Sequence, residues 1–177
     1  MLEFDIPLEP LAWIEHMVDE SLQDKCSFVA IDMNTSHSDL VGVILNGKVE
    51  RDQVDDPFII QSEKLRFIYS LIDNVSAGHD LFERYRTDRL LHCDVVNVDE
   101  KQRGQNLSGR LIAASLDRAS QLAIRGAFVV CSSLFSKRAF VSHGFELINE
   151  ISYADHGHGR LNDMGVHDRM TLLGKQL

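Results

Sequence analysis

Proline is scarce in this sequence, with three in 177 residues, and the 11 glycines are spread out. There is no low-complexity linker and no internal repeat, which leaves one domain long enough to bury a core. Cysteine is equally scarce. Cys26, Cys93 and Cys131 are odd in number, far apart and set in apolar stretches. That pattern excludes a disulfide frame and a zinc ribbon, and predicts reduced, packed thiols of an intracellular protein. No apolar run is long enough to span a bilayer and no signal peptide opens the chain, so the expectation is a cytoplasmic protein without membrane association. Positive charge is also in deficit: 18 Lys and Arg stand against 27 Asp and Glu, a formal net charge of -9. This argues against a nucleic-acid partner or an anionic membrane and suits a cationic substrate.

What is present is an alternation of helical and strand periods. Leu11, Ile14, Val18 and Leu22 predict a helix within 8–23. The β-rich runs 27–34 and 39–49 flank a polar turn and predict a hairpin. Residues 62–85 predict one or two helices, broken at Gly78. A strand follows at 88–98, then a helix at 107–124 with Leu107, Leu111, Ile112, Leu116 and Ala119 on one face. A buried strand is expected at 126–131 and a helix at 136–144 closed by Gly144 at C′. Two more strands are expected at 145–154 and 168–177. The order predicts an α/β fold in a single domain, 1–177, around a mixed sheet of about six strands.

The stretch "NVDEKQRGQNLSGRLI", 97–112, carries the functional signal. A strand ends at Val98, a charged turn follows, and a helix starts just after Arg103-Gly104-Gln105-Asn106-Leu107-Ser108. The first turn of a helix leaves backbone N–H groups without partners, and the helix dipole adds positive charge there, a setting suited to phosphate. Lys101, Arg103 and Arg110 add local cations. A βα turn that binds nothing fits the same residues. No Gly-Lys-Ser/Thr follows, so it is not a Walker loop, and the dinucleotide glycine triplet is missing.

Together with "FSKRAFVSHGF", this turn resembles the pyrophosphate loop of the GNAT superfamily of N-acetyltransferases. The loop pattern Arg/Gln-x-x-Gly-x-Gly/Ala is met by Arg103, with Asn106 where glycine is usual and Ser108 where glycine or alanine is usual. "LLHCDVVNVDEKQRGQ", "CSSLFSKRAFVSHGFELINEISYAD" and "HDRMTLLGKQL" are similar to the insect and nematode arylalkylamine N-acetyltransferases. "DIPLEP", "VGVILNG" and "FERY" fit as well. The resemblance implies acetyl-CoA as co-substrate, held by a core at about 88–154, and a small primary amine as acceptor: dopamine, tyramine, octopamine, serotonin or tryptamine. It implies no metal and a monomer or homodimer. The amides of Arg103, Gly104, Gln105, Asn106, Leu107 and Ser108 are expected to hold the pyrophosphate. Val98 would pair its backbone with the pantetheine arm, and Val96, Ser136 and Lys137 complete the expected cofactor contacts. A polyamine or lysine-analogue acetyltransferase, or a non-catalytic acyl-CoA-binding protein, are the alternatives.

The chemistry sets further demands. Only about 0.1% of an alkylamine with a pKa near 10 is neutral at pH 7. Making it so costs up to about 4 kcal/mol, which desolvation or a base must supply. The insect family places a glutamate just before Pro-Leu as base, and Ile6 occupies that position in this chain. Asp5 and Glu3 are the nearby carboxylates. The resemblance to vertebrate serotonin acetyltransferases points instead to His92 and Asp94, which alternation puts on one strand face. Ser132 and Ser136 match two family serines expected to assist the base and protonate the thiolate; as a helix N-cap, Ser136 has a purely structural reading. The tyrosine that many superfamily members use for that proton is matched by Phe140. The histidines of "DHGHGR", 155–160, read as a solvated loop, Trp13 as packing, and Leu81, Phe82 and Tyr85 as core near the amine pocket. The superfamily usually has a strand before its first helix; only seven residues precede Leu8, so the expectation is either that this strand is absent or that the chain is a shortened form.

Overall fold

The computed structural model describes residues 11–53, 62–156, 159–161 and 163–177. Helix α1 (Leu11–Gln23) leads into the hairpin of β1 (Phe28–Asp32) and β2 (Asp39–Glu50). The hairpin turn is closed locally: Asn34 N–H donates to Asp32 Oδ1 at 2.9 Å and Asp39 N–H to Thr35 Oγ1 at 3.0 Å, as short polar side chains do in turns. The 62–85 segment is two helices, α2 (Glu63–Ser76) and α3 (Leu81–Tyr85), capped at their starts by Ser62 and Asp80. Then come β3 (Arg89–Val98), a single 3₁₀ turn at Glu100–Gln102, α4 (Leu107–Gln121), β4 (Gly126–Cys131), α5 (Leu134–Val141), β5 (Glu146–Ser152), a one-turn α6 (Tyr153–His156) and β6 (Arg169–Gln176).

The six strands form one sheet in the order β1-β2-β3-β4-β6-β5. Among the described strands, only β3 and β4 run parallel, joined by the α4 crossover; every other pair is antiparallel. The mixed α/β fold expected from the sequence is the fold observed. One face of the sheet buries Ile44, Leu91 and Cys93 against Leu111, Ile112 and Ala119 of α4. The second core joins Leu71 and Val75 of α2 to Ile151, Met170 and Leu172. Cys26, Cys93 and Cys131 are all buried free thiols. Burial pushes the Cys26 thiol up to about 11 and that of Cys131 to about 12, because a buried thiolate has lost its hydration.

Local assignments differ from expectation in three places. Helix α5 begins at Leu134 rather than 136, because Ser133 is its N-cap and accepts the Ser136 N–H. Ser136 is therefore inside the helix and not its cap. The helix ends at Val141, so Gly144, with φ +81°, lies beyond the C′ position. The run 145–154 is a strand followed by α6, because the chain turns at Tyr153, whose N–H bonds Asp168 O at 2.9 Å. Glu3, Asp5, Ile6 and the question of a strand before α1 lie outside the described residues, as does His158 of the "DHGHGR" loop.

Candidate active site

The parallel strands β3 and β4 pair over only three positions, Leu90–His92 with Gly126–Phe128. Beyond them the strands part, and a cleft of about 830 Å³ opens between the end of β3 and the start of α5. Its walls are Val96, Asn97 and Val98 on one side and Ser133, Phe135, Ser136 and Ala139 on the other. β3 is paired to β2 as far as Val98, and its other edge faces this opening. An extended ligand can therefore add to that edge as a strand would.

The floor of the cleft at its far end is the loop 102–108. Gly104 has φ +83° with open space around it, a conformation that side-chain-bearing residues avoid. Asn106, at φ 55° and ψ 30°, begins α4 without a side-chain cap bond. Its amide folds over Gly109, where a Cβ would collide with it. The first N–H groups of α4 are left facing the cleft, as an anion requires. The cleft's size and its strand edge, ending at a helix start, fit acetyl-CoA.

Of the residues expected to bind it, Val96, Val98, Arg103, Gly104, Asn106, Leu107, Ser108 and Ser136 line the cleft. Gln105 is turned to Gln102, its Nε2 donating to Oε1. Lys137 is turned away: its ammonium bonds Glu150 at 3.0 Å, within a cluster completed by Arg169 and Asp168. Ser132 is exposed, and its carbonyl accepts the Tyr153 hydroxyl at 2.9 Å. The serine that shares the cleft with Ser136 is Ser133, with the two hydroxyls 2.9 Å apart. Phe140 is fully buried edge-on to Phe145.

His167 also lines the cleft, and sequence reasoning missed it. It sits outside any motif, brought in by the connection between α6 and β6. Its Nδ1 accepts the Leu134 N–H at 3.2 Å, which puts the ring proton on Nε2.

His92 and Asp94 come together on the sheet face opposite α4. His92 Nδ1 lies 2.8 Å from Asp94 Oδ1, and the imidazole stacks on Phe128 at 4.3 Å. The register of β2 with β3 steps by one residue here: Leu45 pairs with Val95 and Asn46 with Cys93. Asp94 is the extra residue of a bulge. The step shifts the alternation, so His92 and Asp94 face one side while Val96 and Val98 pack on the α4 side. Gly47, opposite His92, leaves room for the Asp94 carboxylate, and Asp24 approaches the same space. Tyr69 of α2 accepts the Trp13 indole N–H at 2.7 Å. Burial first, then the field of Asp94, hold its phenol above the ordinary range.

The acetyltransferase (GNAT) domain profile matches residues 46–158, nearly two thirds of the chain, and the chain belongs to that family. It is an acetyl-CoA-dependent N-acetyltransferase. The structure resembles arylalkylamine N-acetyltransferase 2 from Aedes aegypti (TM-score 0.79, 24% identity), covering 93% of this chain and 79% of that one. A Drosophila melanogaster polyamine N-acetyltransferase, an enzyme that forms N-acetylagmatine, superposes with TM-score 0.75 at 23% identity, covering 97% and 84%. An agmatine N-acetyltransferase with a Ser-to-Ala substitution gives 0.78 at 22% identity, covering 96% and 84%. Among the described residues, no three His, Cys, Asp or Glu side chains gather into a metal-binding group, and no helix is long and apolar enough to cross a membrane.

Proposed function

We propose that this protein acetylates a small primary amine, an arylalkylamine, by direct attack of the neutral amine on the thioester of acetyl-CoA. The observation that carries this reading is the His92–Asp94 contact, placed where β3 and β4 begin to separate. Asp94 accepts the Nδ1 proton, which leaves Nε2 of His92 basic and free to take the ammonium proton, directly or through one water. The amine nitrogen attacks the thioester carbon, and a β3 backbone N–H near Val98 stabilises the oxyanion. As the C–S bond breaks, the CoA thiolate takes a proton from Ser136 or from Nε2–H of His167, and that donor is restored by the second amine proton, which the nitrogen gives up on becoming an amide. The amides of the 103–108 loop hold the pyrophosphate. Trp13, Tyr69 and Phe128 supply aromatic surface on the acceptor side.

A second reading, a polyamine as acceptor, is favoured by Asp94, whose carboxylate faces the space above Gly47; Asp24 borders the same space but is already paired with the Lys48 ammonium at 3.1 Å. A distal ammonium would be welcome there.

The test is thiol release from acetyl-CoA with tyramine, dopamine, tryptamine, serotonin, spermidine, agmatine and lysine, against a blank without amine. Turnover with the aryl amines supports the reading. Turnover confined to spermidine, agmatine or lysine replaces it with the second. A raised Tm with acetyl-CoA but no thiol release from any amine overturns both.

A further inference from the structure

Leu90 and His92 are two residues apart on β3, so their side chains rise from the same face of the sheet, roughly 6.6 Å apart along the strand. Val49 of β2 pairs with Leu90 and Gly47 with His92, while Phe128 of β4 pairs with His92 from the other side. Over the Val49–Leu90 pair this face is not filled. A hollow of about 370 Å³ lies there, walled by Leu81 and Phe82 of α3 and bordered by Phe128 on the His92 side. Phe128 is shared: its ring stacks on the His92 imidazole at 4.3 Å and also lines the hollow. Apart from Phe128, none of these side chains touches the His92–Asp94 pair or lines the acetyl-CoA cleft.

The imidazole turns its basic edge toward this hollow. Nδ1 faces Asp94, toward the C-terminal end of β3, so the opposite edge of the ring, which carries Nε2, is turned toward Leu90. An amine on Nε2 then has acetyl-CoA approaching from the Val98 end of β3 and the hollow at the Leu90 end. The two-carbon arm of an arylethylamine spans about the spacing of two side chains on one strand face. The lining selects what lies beyond that arm. Val49, Leu81, Phe82, Leu90 and Phe128 are apolar, and the charges stand at the rim. Arg51 lies over the Phe82 ring at 5.4 Å, its Nε donates to Asp88 at 3.0 Å, and it is 3.8 Å from Asp80. Asp80 also accepts the Glu83 N–H as the cap of α3. A distal ammonium placed here would lose water and meet the Arg51 guanidinium, and among the described residues no unpaired carboxylate lines the hollow to receive it. An aromatic ring gains apolar contact and a ring partner in Phe128.

We propose that this hollow receives the aryl ring of the acceptor while its amine sits on Nε2 of His92, and that Val49 is a specificity-determining residue that limits which rings fit. This rests on the reading of His92 as the base, and it separates an arylalkylamine acceptor from a polyamine.

The experiment varies Val49, which is partly buried on β2 and does not line the acetyl-CoA cleft. Val49→Phe fills the hollow and Val49→Ala enlarges it. kcat and KM are measured with tyramine, with tryptamine and with n-propylamine, which keeps the amine but has no ring. Binding of 2-phenylethanol, which keeps the ring but has no amine, is followed by saturation-transfer NMR. Val49→Phe is expected to lower kcat/KM for both aryl amines on the order of 10- to 100-fold relative to n-propylamine, the scale on which an apolar pocket resolves small differences of shape, and to abolish 2-phenylethanol binding. Val49→Ala is expected to shift the preference from tyramine toward tryptamine. Equal losses with aryl amines and n-propylamine, or no loss with either, overturn the proposal, as does 2-phenylethanol binding retained in Val49→Phe. Should Val49→Phe not fold, an unchanged tryptamine-to-tyramine ratio in Val49→Ala overturns it. If the wild type acetylates no amine the base reading fails, whereas loss of 2-phenylethanol binding in Val49→Phe would still place a ring in the hollow.

Discussion

His92 Nδ1 lies 2.8 Å from Asp94 Oδ1 across one intervening residue of β3, and Asp94 is the residue left over where the β2–β3 register steps. The contact decides which ring nitrogen is basic. His92→Gln is expected to lower kcat/KM on the order of 100-fold. Asp94→Asn leaves the ring in place but favours the wrong tautomer, and kcat should fall at least about tenfold. Acetyl-CoA binding, measured by calorimetry, should be unchanged in both.

The loop carries its own test. Gly109 leaves the room into which the Asn106 amide folds. Gly109→Ala should push that amide toward the cleft and raise the KM for acetyl-CoA about tenfold. Adding Asn106→Gly should recover most of the loss, since the two positions are coupled through contact. Additive effects in this double-mutant cycle would refute the coupling.

Phe140 is not a misplaced proton donor. It is 1% exposed and packs edge-on to Phe145. Phe140→Tyr should not raise kcat. A hydroxyl buried there without a partner should cost about 1–3 kcal/mol, seen as a Tm lower by about 3 °C or more. Ser136→Ala and His167→Gln, by contrast, should slow thiolate release, and the double variant should show which of them donates.

The bond from Lys137, with that from Arg169, holds the Glu150 carboxyl below its ordinary value of 4.5. A depressed folded-state value means stability that is present above the unfolded-state value and lost as pH falls through the folded one. The Tm gap between wild type and Glu150→Gln should therefore be widest near neutrality and narrow as pH falls below the ordinary glutamate value. A gap that does not change with pH would point to packing rather than charge.

The thiols of Cys26 and Cys131, held at about 11 and about 12, stay protonated at pH 8. Neither should react with iodoacetamide in the native protein, and their labelling rate should follow unfolding in urea.

Much of the fold was legible in local patterns. β-rich and apolar runs marked the six described strands, and the strand–turn–helix at 97–112 marked the cleft, because a helix start after a strand exposes amides whatever surrounds it. Helix ends were less legible. A serine at either 133 or 136 satisfies the capping rule, and only the packing of α5 selects Ser133.

The site divides in the same way. Sequence alone marked out the loop residues, the placement of His92 and Asp94 on one strand face and the family resemblance, since these depend on neighbours within a few positions. Tertiary structure decided three things that depend on distant partners. His167 reaches the cleft only because β6 closes beside β4. The Lys137 ammonium turns from the cleft because Glu150, on β5, holds its charge at 3.0 Å. The bulge at Asp94 exists only as a register between β2 and β3, and register belongs to a pair of strands rather than to either one.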